Sequence, residues 1–300
     1  MKKTTKILFA SLMLITFLLL IPVSPQITES QNTPLIKPFS ITSTKEISDN
    51  LSFVKENGYR VSWSHTENLI AFDQKQSNEY YDVYVMNPDG TNEQCLTDHP
   101  ALPKGHKGCA DWHPSGNYIV FTCQKERYFG KYIPILRTYA SKLAIPGIGI
   151  NCDLWLTNAE GTKFWQLTDL PTKTRLFDKQ PYTGVLHPHF SHDGSKLLWS
   201  ERIDSADNKW GEWTLNIADF IVKNGQPHLE NITVFQPGQV PCFYESHGFS
   251  PDDSSIIFSG NLQKNQDENH MDIYTMDLQT EEVSRLTIKN NEWDEHAHYS

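Results

Sequence analysis

A two-part motif recurs along the chain, and it constrains the fold more than any other feature. Its first part sets an aromatic residue ahead of a polar turn and a short apolar strand. It reads "YRVSWSHTENLIAF" from Tyr59, "CADWHPSGNYIVF" from Cys109, "HPHFSHDGSKLLWS" from His187 and "SHGFSPDDSSIIFS" from Ser246. The shared aromatics are Trp63, Trp112, Phe190 and Phe249, and Tyr299 takes the same place in a closing "HAHYS". The second part is an alternating strand, a turn, and a strand ending in Leu-Thr. It spans 80–98 ("YYDVYVMNPDGTNEQCLTD"), 151–169 ("NCDLWLTNAEGTKFWQLTD") and 270–287 ("HMDIYTMDLQTEEVSRLT"). A divergent version, "GEWTLNIADF" followed by "ITVFQPG", stands in the third unit. The Asp89-Gly90, Glu160-Gly161 and Asp193-Gly194 pairs supply hairpin chemistry.

One unit is therefore four short antiparallel strands. Such a sheet cannot bury both faces alone, and stacking sheets around an axis solves that. An aromatic content of 12% suits strands of this kind. The expected fold is all-β, a β-propeller of four-stranded antiparallel blades. The blades are expected at about 51–98, 108–169, 186–236 and 246–288, with the next begun at 296. "HAHYS" reads as half of a first strand, and "STKEISDN" at 43–50 resembles an outer strand. These two readings predict an incomplete ring, four full blades plus the start of a fifth, in a chain that is a fragment. A closed ring of four blades is the alternative. An unfinished ring leaves an open strand edge, which predicts aggregation. The longest insertion, 125–150, is aromatic and basic with a Gly/Pro-rich tail, and is expected as a short helix or ordered loop over one face.

The units "FSHDGSKLLWS" and "FSPDDSSIIFSG", followed by "DIYTMD"-type strands and "RLT" endings, resemble the WD-like repeats of TolB-type β-propellers across about 43–300. Similar repeats occur in the periplasmic TolB protein, a binding scaffold. They also occur in propeller domains of prolyl-oligopeptidase-like serine peptidases and in oligogalacturonate lyases. The chain departs from TolB in having no room for a separate N-terminal domain before the first repeat. The resemblance implies a propeller, and it leaves the function open.

The first 24 residues differ from the rest. Lys2, Lys3 and Lys6 precede an apolar run from Ile7 to Val23. This reads as a secretory signal or a retained N-terminal anchor, with 25–42 as a linker. Pro25 blocks cleavage after Ser24, whereas Thr28 and Ser30 suit cleavage after Ser30. Either way the body is expected outside the cytoplasm, periplasmic or secreted. The net charge of -10, without a Lys/Arg cluster, argues against a nucleic-acid partner. A protein or carbohydrate ligand is expected instead. Five cysteines with no CxxC exclude a zinc ribbon and read as buried thiols, one disulfide within 109–152 being the alternative.

The histidines gather at one register. His187 and His296 lie three residues before the shared aromatic, His189 and His298 one before, and His247 two before. The innermost strand of a blade starts there, so these side chains are expected to converge on the channel mouth. Glu245 and Glu295 stand beside them, as direct ligands or as groups orienting an imidazole. Imidazoles with a carboxylate make a divalent-metal site. The alternative is a set of ordinary channel-lining side chains. Oligogalacturonate lyases hold a catalytic Mn2+ with histidines inside the propeller, so the resemblance implies Mn2+ here by residue type and location. No G-x-S-x-G elbow, P-loop or dinucleotide fingerprint occurs. The favoured reading is a binding or scaffolding propeller rather than an enzyme, its ligand on the histidine-bearing face. A metal-dependent carbohydrate lyase is the first rival. The propeller part of a serine peptidase is the second.

Overall fold

The computed structural model describes residues 52–300 apart from 65, 127–145, 172–181, 205–209, 265, 268, 289–291 and 300. The N-terminal signal or anchor, the linker, the segment at 43–50 and most of the 125–150 insertion lie outside the described residues.

Among the described residues sixteen strands form four antiparallel sheets of four, each in sequential order. The first sheet holds β1 (Gly58–Ser64), β2 (Leu69–Lys75), β3 (Tyr81–Met86) and β4 (Gln94–Cys95). The second holds β5 (Lys107–Trp112), β6 (Tyr118–Gln124), β7 (Cys152–Asn158) and β8 (Phe164–Gln166). The third holds β9 (Gly184–Phe190), β10 (Lys196–Asp204), β11 (Glu212–Lys223) and β12 (Gln226–Phe235). The fourth holds β13 (Tyr244–Phe249), β14 (Ser255–Gly260), β15 (Asp272–Asp277) and β16 (Val283–Arg285). This is the expected all-β propeller, with four full blades. Residues 292–299 carry no regular secondary structure.

Burial explains why the blades stack. Ala71, Val83 and Val85 of the first blade meet Trp112, Ile119 and Phe121 of the second in one apolar cluster. Val120, Leu154 and Leu156 meet Val185, Phe190 and Leu197 in the next. Leu198, Leu215 and Ile217 meet Phe249, Ile256 and Phe258 in the third. The shared aromatic thus packs onto the preceding blade. Trp112, Phe190 and Phe249 are 5%, 7% and 3% exposed, whereas Trp63 of the first blade is 50% exposed. Each fully buried large side chain stabilises by roughly 1.5–3 kcal/mol.

The Leu-Thr endings have a polar cause. Thr97 Oγ1 donates to Asp82 Oδ1 at 2.9 Å and accepts the Val83 N–H at 2.9 Å. Thr168 treats Asp153 and the Leu154 N–H alike at 3.2 and 2.9 Å. Thr287 accepts the Ile273 N–H at 2.9 Å beside Asp272. A cation completes each carboxylate: Lys107 on Asp82, Lys125 on Asp153, Arg285 on Asp272. The third blade lacks this clamp. Its outer hairpin is longer and turns on Asn224-Gly225, both at positive φ (53° and 73°), as a two-residue hairpin turn requires.

All five cysteines are described and none is in a disulfide: four are buried and Cys95 is half-buried. Among the described residues no helix is long and apolar enough to cross a membrane.

Candidate functional site

Each innermost strand is bulged near its start. The register slips between Tyr59 and Ser62, between Gly108 and Asp111, opposite Leu198–Ser200 in the third blade, and between Ser246 and Gly248. A β-bulge turns a side chain away from the regular alternation and is common beside functional sites. Arg60, Cys109, His187 and His296 share one register, three before the aromatic, and all four have positive φ (43°, 51°, 45° and 60°). A non-glycine residue in that region is sparsely populated and needs surrounding structure to hold it. In the fourth blade the extra residue is His247, followed by Gly248 at φ 125°.

These bulges aim side chains into one cavity of about 510 Å³, lined by Arg60, Cys109, Asp111, His187, His189, His247, His296 and His298 among others. At its wall the donor atoms of His187, His247 and His296, with that of Glu245 behind them, all lie within 4.8 Å of one another. His187 Nδ1 is 3.0 Å from Glu245 Oε1. The imidazole of His247 meets Ser259 Oγ through Nε2, which also accepts the His296 backbone N–H at 3.2 Å. The rings of His187 and His247 lie 5.9 and 5.6 Å from that of His296.

Burial sets the protonation. Desolvation holds His187 well below the ordinary imidazole range and pulls His247 down to about 2, with neighbouring imidazoles adding to both. Glu245 is pushed up to about 8, first by burial and then by the charge and hydrogen bond of Glu295. Without a cation His187 and His247 are thus neutral imidazoles and Glu245 a protonated carboxyl near pH 7. Neutral imidazole is the form that binds metals.

Three imidazoles and one carboxylate fit a divalent ion. Bonds of about 2.0–2.2 Å to nitrogen and oxygen bring donor atoms to separations of this size after small side-chain shifts. The set has no thiolate, which suits Mn, Fe, Ni or Zn rather than a soft ion.

The structure brings together His187, His247, His296 and Glu245. It leaves His189 and His298 beside that group. His189 Nε2–H donates to the Ser246 carbonyl at 3.2 Å, and burial lowers the ring to about 4. The His298 ring is 6.5 Å from that of His189 and 6.3 Å from that of His247. Glu295 also stands outside the four, with Oε1 3.3 Å from His296 Nε2 and a 2.5 Å bond from Trp293 Nε1. A second cavity of about 340 Å³ adjoins, walled by Trp210, Phe243 and Trp293; it shares Arg60, His187 and His296 with the first and adds Glu245 and Glu295.

No family model and no curated protein matches this chain. Similar solved structures exist. TolB from Acinetobacter baumannii is 13% identical with a TM-score of 0.47, over 77% of this chain and 43% of that one. A putative TolB from Agrobacterium tumefaciens is 12% identical with a TM-score of 0.48, over 75% and 63%. The chain is similar to TolB-type β-propellers. An oligogalacturonate lyase in complex with manganese is 9% identical with a TM-score of 0.45, over 80% and 56%. The chain spans less than two thirds of the length of each, and the likeness concerns the fold alone.

Arg60 and Cys109 also reach the cavity, and their register announced them. Both stand three before the shared aromatic, as His187 and His296 do. A guanidinium is no metal ligand, so residue type gave no signal at Arg60.

Proposed function

We propose that this chain is an extracytoplasmic TolB-like propeller that binds a ligand at its channel mouth through one divalent ion. His187, Glu245, His247 and His296 would hold the ion. The observation that carries the reading is the convergence of four donor atoms from three separate chain segments within 4.8 Å. Burying the His187 and His247 imidazoles together with the Glu245 carboxyl is costly unless something binds them. A bound ion would polarise an oxygen of the ligand. The protein's part is to hold His187 and His247 neutral, fix His247 through Ser259 and His296, and keep Glu245 in reach. The extracytoplasmic placement rests on Lys2, Lys3 and Lys6 ahead of the apolar run to Val23.

A second reading, a metal-dependent carbohydrate-active lyase, has one feature in its favour. His189 stands in the same cavity, outside the donor set, as a neutral imidazole able to accept a proton.

Metal analysis of the purified protein after dialysis against Mn2+ or Zn2+ tests the proposal. One ion per chain, lost in the His187→Ala/His296→Ala variant, is expected. A wild-type protein that retains no ion overturns it.

A further inference from the structure

Three of the four donors are built into the blades and one is not. His187 lies on β9, and Glu245 and His247 lie on β13; all three are buried. His296 is exposed and belongs to 292–299, which has no regular secondary structure and no buried residue. The segment is tied to the fourth blade by the Asp294 N–H, which donates to the Met271 carbonyl at 2.9 Å, and by the His296 N–H on His247 Nε2 at 3.2 Å. Its large apolar side chains, Trp293 and Tyr299, are each 39% exposed, so apolar burial holds it weakly. His296 also sits at φ 60°. Arg60, Cys109 and His187 share that conformation, but each lies inside a strand whose ladder holds it, and His296 does not.

Trp293 gives the segment a second role. Its ring lies 5.6 Å from that of Trp210 and walls the smaller cavity, which Glu295 and His296 also line. Whatever fixes His296 therefore fixes one wall of that cavity.

We infer that His296 is a clasp. With the divalent ion bound, His296 holds 292–299 against the third and fourth blades and Trp293 closes the smaller cavity; with the ion gone, the segment detaches and that cavity opens. The inference rests on the metal reading above. The physical reasons are two. A donor set shared between rigid blades and a weakly tied segment couples them, so ordering the segment and taking up the ion favour each other by the same factor. Glu292, Asp294 and Glu295 also surround His296 with negative charge, so a cation on the buried donors draws the whole segment inward. Entry to the aromatic-walled cavity thereby depends on the divalent ion.

The test is hydrogen–deuterium exchange of the full chain, read by mass spectrometry in EDTA and in Mn2+ at about 100 times its Kd. Mass action allows up to about 100-fold slowing where the open segment binds no ion. The blade donors keep part of the affinity, so the peptide covering 292–299 is expected to exchange about tenfold slower with Mn2+. Peptides of β6 and β7, which hold no donor, are expected to keep their rates. His296→Ala is expected to lose the slowing at any Mn2+ concentration. His298→Ala, in the same segment but outside the donor set, is expected to keep it. A wild type that binds one Mn2+ per chain without slowing at 292–299, or with equal slowing in every blade, overturns the inference and leaves the metal reading standing. Slowing that survives in His296→Ala or vanishes in His298→Ala does the same. Failure of the wild type to take up Mn2+ overturns both.

Discussion

His187 Nδ1 lies 3.0 Å from Glu245 Oε1, so the first strands of two neighbouring blades meet through a buried imidazole and a buried carboxyl. Burial lowers one pKa and raises the other, so without a cation the pair is neutral. The two are held together by the bulges of β9 and β13, which makes them the centre of the candidate site.

Removing one member of the four should therefore cost far more than removing a neighbour. His187→Ala or His247→Ala is expected to weaken Mn2+ binding by on the order of 100-fold or more, the upper end of what lost supporting contacts cost at metal sites. His189→Ala and His298→Ala, outside the donor set, are expected to change it by less than about tenfold. Titration with Mn2+ monitored by electron paramagnetic resonance reads both. Equal losses across all of these histidines would place the ion elsewhere in the cavity.

Mn2+ affinity should rise with pH up to about 8. Glu245 is protonated below its raised pKa of about 8, and an ion must displace that proton. The affinity is then expected to fall by up to about tenfold per pH unit below 8 and to level off above it. His187 and His247, already held neutral, add no proton competition at neutral pH. Glu245→Gln should bind more weakly and lose the slope between pH 6 and 8, written as about two pH units of flat affinity. A wild-type profile flat across that range would contradict this assignment.

Asp111 predicts a second pH effect, on stability. It joins three blades: Oδ1 accepts from Ser62 Oγ at 2.8 Å and Oδ2 accepts the Phe190 N–H at 2.9 Å. Burial nonetheless raises it from 3.8 to about 6. The folded state binds this proton more tightly than the unfolded one. Its contribution is full below pH 3.8 and is lost as pH rises to about 6. Asp111→Asn removes the charge; its carboxamide oxygen still accepts the Phe190 N–H, and its amide donates to Ser62 Oγ in place of the accepted bond. Its melting temperature, subtracted from that of the wild type, should drift with pH between about 4 and 6 and stay constant above. At pH 7 the variant is expected to be the more stable. A difference independent of pH would mean that Asp111 titrates as an ordinary carboxylate.

Much of this was legible in the sequence. The recurring aromatic and the Leu-Thr endings gave four-stranded blades, because each marks a fixed place: a wedge against the preceding blade, or a hydroxyl on a buried aspartate. The histidine convergence was readable from register alone. Membership of the donor set was not, since it depends on bulges. A slip of one residue in β13 sends His247 to the cavity where the other blades send the residue before it. Regular alternation puts His187 with His189, but the bulge in β9 separates their roles. Arg60 was hidden for another reason: a guanidinium has donors only and is no metal ligand.

The aromatic register itself supplies the last prediction. Trp112 and Trp63 hold the same place in adjacent blades, yet Trp112 is 5% exposed and Trp63 50%. Trp112 packs on Ala71, Val83 and Val85 of the blade before it. Truncating it to alanine opens a cavity between two blades, at an expected cost of about 3–5 kcal/mol. Trp63→Ala removes a half-exposed ring and is expected to cost less than about 1 kcal/mol. Urea denaturation of the two variants separates these values. If Trp63→Ala proves as costly as Trp112→Ala, the face of β1 is covered in solution, and the first blade is packed as the other three are.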